Sequence, residues 1–349
     1  MSDYLKNMVK ASGNKYASIV NNGIDGSDVD GFVNTGSYIM NALLSGSIYG
    51  GIANNKILAL AGETSTGKTY FSLGIVHKFL ADHKDSVVLY FDSEQAVTSD
   101  MITERGIDAK RIAVFPVTTV EEFRHQVITI VDNHLLQPES ERKKILIVLD
   151  SLGMLSTSKE VNDTTEGKET RDMTRAQLVK ATFRVLTVKL GMAKIPMIMT
   201  NHTYQSMGSM YPTTEMSGGQ GIRYAASTIV YLSKRKDKNT DGDVIGNIIH
   251  CKLYKGRLTK ENKMVDVRLN YNTGLDLYYG LLELALQYNI FKKNSTRIEL
   301  PDGSKVFEKN INDNPEKFFT ADILKLLDEA AGKEFKYGNT VEAPKEANG

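Results

Sequence analysis

The sequence predicts an α/β fold with a mostly parallel central sheet, and three observations carry that prediction. Residues 56–79, KILALAGETSTGKTYFSLGIVHKF, hold an apolar run that stops at Gly62, crosses a polar stretch bounded by glycines, and resumes with helical spacing. Short apolar runs at 87–91, 112–114, 145–149 and 198–199 alternate with helical patterns, as strands do when helices cover both faces of their sheet. Beyond residue 225 the runs come closer together, at 228–233, 247–254 and 264–269, with turn residues between them. That is the spacing of an antiparallel extension.

Taken in order, residues 1–35 mix short apolar pieces with Gly, Asn and Asp, too loosely for a core element. An amino-terminal arm and a disordered leader both fit that composition. Residues 35–53 carry a helix with Ile39, Met40, Leu43 and Leu44 on its apolar side, then glycine punctuation. The core runs from 36 to 274. In 275–336 the character changes: LYYGLLELALQYNIF reads as an apolar-rich helix, RIELPDGSKVFEKN as a hairpin turning at Pro301-Asp302-Gly303, and NPEKFFTADILKLLDEAAGKEF as an amphipathic helix. We read this as a small carboxyl-terminal α/β appendage, followed by a disordered tail at 337–349.

Bulk properties narrow the class. A chain of 349 residues exceeds what one hydrophobic core usually takes, so a main domain with a small companion is expected. No apolar run reaches the ~20 residues of a membrane span, and no membrane partner is expected. The first twenty residues lack the uninterrupted apolar core of a secretion signal, and the single cysteine, Cys251, suits a reducing compartment such as the cytoplasm. A formal charge of +1 excludes a wholesale polyelectrolyte binder, so any nucleic-acid contact falls to particular loops. The six histidines show no zinc-binding spacing.

Chemistry centres on GETSTGKT, residues 62–69. A triphosphate needs inward-pointing backbone N–H groups, a helix N-terminus and a cation, and Gly62, Glu63, Thr64, Ser65, Thr66, Gly67, Lys68, Thr69 and the following Tyr70 can supply them. Lys68 would reach the β- and γ-phosphates of a nucleoside triphosphate, and the Thr69 hydroxyl would ligate Mg²⁺. In a doubly wound sheet, ligands gather beyond the carboxyl ends of the strands. After the run at 145–149 stands Asp150, placed either to order Mg²⁺ beside Thr69 or to cap the next helix. After 87–91 comes Glu94, a candidate general base or a simple loop carboxylate. After 198–199 come Asn201 and His202, which could sense the γ-phosphate or serve structure alone. Two long polar stretches, 156–174 and 203–221, read as loops able to grip a nucleic-acid backbone through amides, with Arg171, Arg175 and Arg223 adding charge.

These stretches together resemble the RecA family of strand-exchange recombinases, in its bacteriophage branch. The matching residues are NTGSYIMNALLSG, GETSTGKT, YFDSEQAV, IVLDSLGML, DMTRAQLVKATFR, NHTY and SGGQGIRYAAS. The resemblance implies an ATP-dependent helical filament on single-stranded DNA that searches double-stranded DNA for homology and exchanges strands. It implies that Glu94 activates water, that His202 senses the γ-phosphate, and that the stretches at 156–174 and 203–221 are the DNA loops. Gly218, Gly219 and Arg223 match family positions at DNA, Tyr224 matches an interface aromatic, and Lys255 and Arg257 match basic residues that reach ATP on the neighbouring protomer. It favours an arm over a disordered leader, and implies as partners a recombination mediator and a single-strand-binding protein. Action in the host cytoplasm follows if the chain is phage-encoded. Met101 stands where bacterial members have an aromatic against adenine. A ring-forming replicative helicase is the alternative on the same fold, but residues 1–35 are short for its partner-binding domain. A nucleotide-switched scaffold is the alternative outside enzymes, opposed by the presence of both Asp150 and Glu94.

Overall fold

The computed structural model describes residues 2–14, 16–24, 26–168, 174–205, 214–217, 220–239 and 241–338. The amino-terminal segment is not uniform. Helix α1 (Ser2–Ala11) leaves Tyr4, Leu5 and Met8 exposed. From Gly26 onward the chain is tied to its own core: Asn55 Nδ2 donates to the Gly26 and Asp28 carbonyls, Lys56 Nζ donates to Ser27 O at 2.9 Å, and Lys194 pairs with Asp30 at 2.7 Å. A Cβ at Gly191 would stand 2.7 Å from Gly26 O, so only glycine allows this approach. Strand β1 (Phe32–Val33) then pairs antiparallel with β2 (Ile52–Ala53), enclosing the buried helix α2 (Tyr38–Ser45).

The central sheet contains β3 (Ile57–Gly62), β4 (Ser86–Asp92), β5 (Ile112–Pro116), β6 (Lys144–Asp150), β7 (Met197–Gln205), β8 (Thr214–Met216), β9 (Thr228–Lys238), β10 (Val244–Gly256), β11 (Met264–Asn270) and β12 (Gly274–Leu275). Its order is β12-β11-β10-β9-β3-β7-β6-β4-β5, with β8 added beside the end of β7. From β9 to β5 every pairing is parallel, and β10, β11 and β12 extend the sheet antiparallel. The expected antiparallel extension therefore begins one strand later than the sequence reading, because β9 lies parallel to β3 on one side and antiparallel to β10 on the other.

Burial explains the unbroken apolar runs. Along β3, Leu58 and Leu60 enter one core cluster with Phe71, Val88 and Leu146, while Ile57, Ala59 and Ala61 enter a second with Phe91, Phe123 and Phe183. A strand buried on both faces has no polar side to alternate with. The covering helices are α3 (Lys68–Asp82), α4 (Ser99–Thr103), α5 (Val120–Leu136), α6 (Ser158–Thr165), α7 (Arg175–Ala193) and α8 (Gln220–Ala225). Helix α6 corrects the expectation of an irregular loop over 156–174: the Thr157 hydroxyl caps it by accepting from Glu160 N at 3.1 Å. Cys251 is buried in β10, where burial pushes its thiol pKa up.

Two expectations for residues 275–336 change. The helix read from 277 begins only at α9 (Leu281–Gln287), because Gly280 sits at φ +90. The expected hairpin, β14 (Arg297–Glu299) with β15 (Lys305–Phe307), gains a third strand, β13 (Lys292–Asn294). After α10 (Glu308–Asp313), the single amphipathic helix is two, α11 (Pro315–Phe318) and α12 (Ala321–Phe335). Phe319 between them is buried, stacked 5.9 Å from Tyr278 and 5.8 Å from Phe291, and anchoring that ring breaks the helix.

Candidate active site

The parallel register places the chemistry. Gly62 on β3 faces His202 on β7, and Asp92 on β4 faces Asp150 on β6, so all four stand at the carboxyl edge of the sheet. Beside them opens a cleft of about 810 Å³, lined among others by Lys68, Thr69, Tyr70, Glu94, Asp150 and His202.

The loop from β3 to α3 is shaped by its glycines. A Cβ at Gly62 would stand 2.7 Å from Leu232 O and 2.9 Å from Thr66 Oγ1, so no side chain fits. Gly67, at φ +92, turns the chain into α3, whose first N–H groups have no partner within the helix. Thr66 closes the turn by donating to Glu63 O at 2.9 Å, and Ser65 also takes positive φ. Lys68 Nζ donates to Gly62 O at 3.0 Å and Glu63 O at 2.8 Å. Burial lowers the pKa of this ammonium, and the carboxylates of Glu94 and Asp150 partly restore it.

Asp150 does not cap a helix. Its Oδ2 accepts from Thr69 Oγ1 and from Tyr90 Oη, each at 2.7 Å, and its Oδ1 accepts from Thr200 Oγ1. Burial and the Asp150 charge drive the Tyr90 hydroxyl well above its ordinary pKa, so it stays a donor. Ser93 cross-links the ends of β4 and β6: its hydroxyl donates to Ser151 O at 2.6 Å and accepts from Ser151 N at 2.9 Å. The Asp150–Ser151 peptide is cis. Asp92, also buried, accepts from the N–H groups of Glu94, Ala96 and Val97, and so shapes the turn that carries Glu94.

Glu94 is held on one oxygen. Ser151 Oγ donates to Oε1 at 2.6 Å, and His202 Nε2 lies 2.9 Å from the same atom. Burial alone would raise this carboxyl, but the hydrogen bonds from Ser151 and His202, with Lys68 nearby, hold it below the usual glutamate value. An ionised carboxylate only accepts, so His202 Nε2 carries the hydrogen. Oε2 has no hydrogen bond among the described residues and remains available to a water. His202 in turn is built into the strand that starts the second long stretch: its carbonyl accepts from Ser217 N at 3.0 Å, and the buried Asn201 donates to Ser217 O at 2.7 Å. Glu94 is thus linked to the β7–β8 pair through His202 and its covalent and hydrogen-bonded neighbours.

The remaining expected residues fall elsewhere. Arg175 does not present a free cation. Its Nε donates to Leu155 O at 2.7 Å, and its Nη2 donates to Leu152 O and Gly153 O at 3.0 and 3.1 Å. Burial lowers its pKa, and its geometry anchors the turn after β6 rather than meeting a phosphate. Arg175→Met should strand those carbonyls and cost roughly 2 kcal/mol of stability, read from the denaturant midpoint. An unchanged midpoint would remove the anchoring role.

The Arg223 guanidinium lies 5.4 Å from the centre of the Tyr254 ring, and Tyr224 is exposed. Lys255 Nζ donates to the Arg223 and Ala226 carbonyls at the end of α8. Lys255 and the exposed Arg257 do not line the cleft of their own chain. Arg171, Gly218 and Gly219 lie outside the described residues. The sequence reading did not assign Tyr90, Ser93, Ser151 or Thr200, nor the turn at 270–274, which forms part of the cleft.

The residues fit a magnesium nucleotide. An ammonium resting on two carbonyls, an open helix N-terminus and a hydroxyl paired with a carboxylate supply the cation, the N–H groups and the hard oxygen donors that such a ligand takes.

Comparison with known proteins places these features. A model of the RecA N-terminal domain matches residues 1–276. The chain is 33% identical over 294 residues to the recombination and repair protein of Enterobacteria phage T4, covering 84% of this chain and 73% of that one. It is 23% identical over 324 residues to the protein RecA of Mesoplasma florum, covering 90% and 91%. Against the protein RecA of Mycoplasmopsis pulmonis it is 26% identical over 267 residues, covering 76% and 74%.

Proposed function

The chain belongs to the RecA family, and from that premise we propose that it is a DNA-dependent ATPase and homologous recombinase, which forms ATP-gated helical filaments on single-stranded DNA and exchanges strands with a homologous duplex. These relatives give no support to the ring-helicase alternative. The observation that carries the reading is the Glu94–His202 contact, because one member faces the phosphate loop and the other begins the strand pair leading into the second candidate DNA loop.

Bound ATP would supply the phosphoanhydride to be cleaved, and Mg²⁺ would supply positive charge to offset that of its phosphates. Lys68 would exchange its carbonyl partners for phosphate oxygens, while Thr69 and Asp150 would hold the metal. Glu94, fixed through Oε1, orients a water at Oε2 and takes its proton. His202 reads the outcome through the atom it shares with Ser151. Gly218, Gly219, Arg171 and Arg223 act at DNA, and Arg175 supports them by anchoring the turn after β6.

We assign residues 36–274 to the ATPase core, 275–336 to a small second domain and 337–349 to a tail. The segment 1–35 is an arm whose helix α1 offers Tyr4, Leu5 and Met8 to the neighbouring protomer. Lys255, Arg257 and Tyr224 act across that interface, and a recombination mediator and a single-strand-binding protein assist loading, in the host cytoplasm if the chain is phage-encoded. Among the described residues no helix is long and apolar enough to cross a membrane.

Hydrolysis measured with and without single-stranded DNA tests the proposal. Stimulation of about tenfold or more is expected, since positioning one catalytic group typically contributes about 10²-fold or more. Equal rates would sink the DNA-dependent reading.

A further inference from the structure

Beyond the phosphate-handling cluster, the cleft has a second group of touching side chains. Tyr70 and Arg105 both line it, with the Arg105 guanidinium carbon 4.4 Å from the centre of the Tyr70 ring. Arg105 Nη1 also donates to Met101 O at 2.9 Å. The contact over the ring and the hydrogen bond from Nη1 together restrain the guanidinium. Arg105 is the only arginine among the described residues lining the cleft, and none of its other N–H groups has a hydrogen bond among the described residues. The same cleft offers apolar side chains, Leu73, Met101, Leu269 and Leu275, alongside polar ones such as Lys78 and Asn270.

A triphosphate seated on the loop at 62–69 would leave its base to the rest of the cleft, which Tyr70 and Arg105 also line. Resting on that reading, we propose that Arg105, shelved on Tyr70, reads the base, and that the site admits a 6-oxopurine at least as readily as adenine. A guanidinium fork donates two N–H groups side by side. The Hoogsteen edge of guanine offers two adjacent acceptors, O6 and N7, whereas adenine offers N7 beside an amine that is itself a donor. Guanine therefore gains a second hydrogen bond that adenine cannot make. Met101 brings its apolar side chain and a carbonyl that holds the arginine, but no group that selects against a 6-oxo substituent.

The test uses the full chain with Mg²⁺ and a ribose-labelled fluorescent ATP, displaced by unlabelled ATP or GTP. For the unaltered protein, GTP should displace the probe at no more than about three times the ATP concentration, since the bidentate pair offsets any loss elsewhere. Arg105→Met and Arg105→Lys, which both remove the fork while one keeps the charge, should weaken GTP about tenfold and ATP less than about threefold. Tyr70→Leu, which removes the shelf, should move the ratio in the same direction. ATP binding in the two arginine variants, and an unchanged denaturant midpoint in Tyr70→Leu, show that the site is still folded.

An unaltered GTP-to-ATP ratio in both arginine variants would overturn the proposal, as would GTP that fails to displace the probe from the unaltered protein. A probe that does not bind at all, with Lys68→Ala indistinguishable from the unaltered protein, would instead sink the nucleotide site, and this inference with it.

Discussion

Replacing Lys68 with alanine is expected to abolish nucleotide-dependent DNA binding. The ammonium is buried and has no salt-bridge partner among the described residues; it rests on two backbone carbonyls, and burial lowers its pKa while the Glu94 and Asp150 charges partly offset that. Such a group is poised for anionic oxygens. Losing one partner of a desolvated charge pair typically costs about 2–5 kcal/mol, so ATP affinity should fall on the order of 100-fold or more. Displacement of a fluorescent ATP would measure it. Because Lys68 also ties the loop through Gly62 and Glu63, the denaturant midpoint should be read alongside, and a variant that is folded yet binds ATP normally would refute the assignment.

Glu94→Gln should give the opposite pattern, with binding kept and turnover lost. Glutamine retains an oxygen where Ser151 and His202 donate, so the Oε1 contacts survive. It replaces the free Oε2 with an amide that cannot accept a proton from water. Turnover should fall about 10²–10⁴-fold, the usual contribution of a positioned general base, while ATP affinity stays within about threefold. Steady-state hydrolysis beside nucleotide binding separates the two terms. Equal losses in both would make Glu94 a structural residue.

The parts of this site that could be read from the sequence are those whose chemistry is local. Gly62, Gly67, Lys68 and Thr69 sit within eight residues, and their spacing alone states the need for open backbone, a cation and a hydroxyl. Asp150, Glu94 and His202 could be nominated because each follows an apolar run, and the parallel register brings those ends together. Tyr90 and Thr200 were hidden for the opposite reason: each belongs to a strand that reads as apolar, and only the fold turns its hydroxyl onto Asp150.

Arg175 misled because a sequence shows a charge but not the carbonyls that occupy it. Helix α6 had a usable signal in Thr157 and Glu160, three apart at a helix start, but with only Val161 as a large apolar residue its pattern resembled a loop. The break at Phe319 has no local signal either, since helical spacing continues across it and distant Tyr278 and Phe291 decide its place.

Assembly on DNA is expected to be governed by ATP at this cleft. Electron microscopy of the Glu94→Gln protein with single-stranded DNA, with and without ATP, tests it most directly, because slow turnover should trap the bound state. Continuous helical filaments that require ATP are the predicted result. Discrete rings on DNA, or filaments indifferent to nucleotide, would contradict the account.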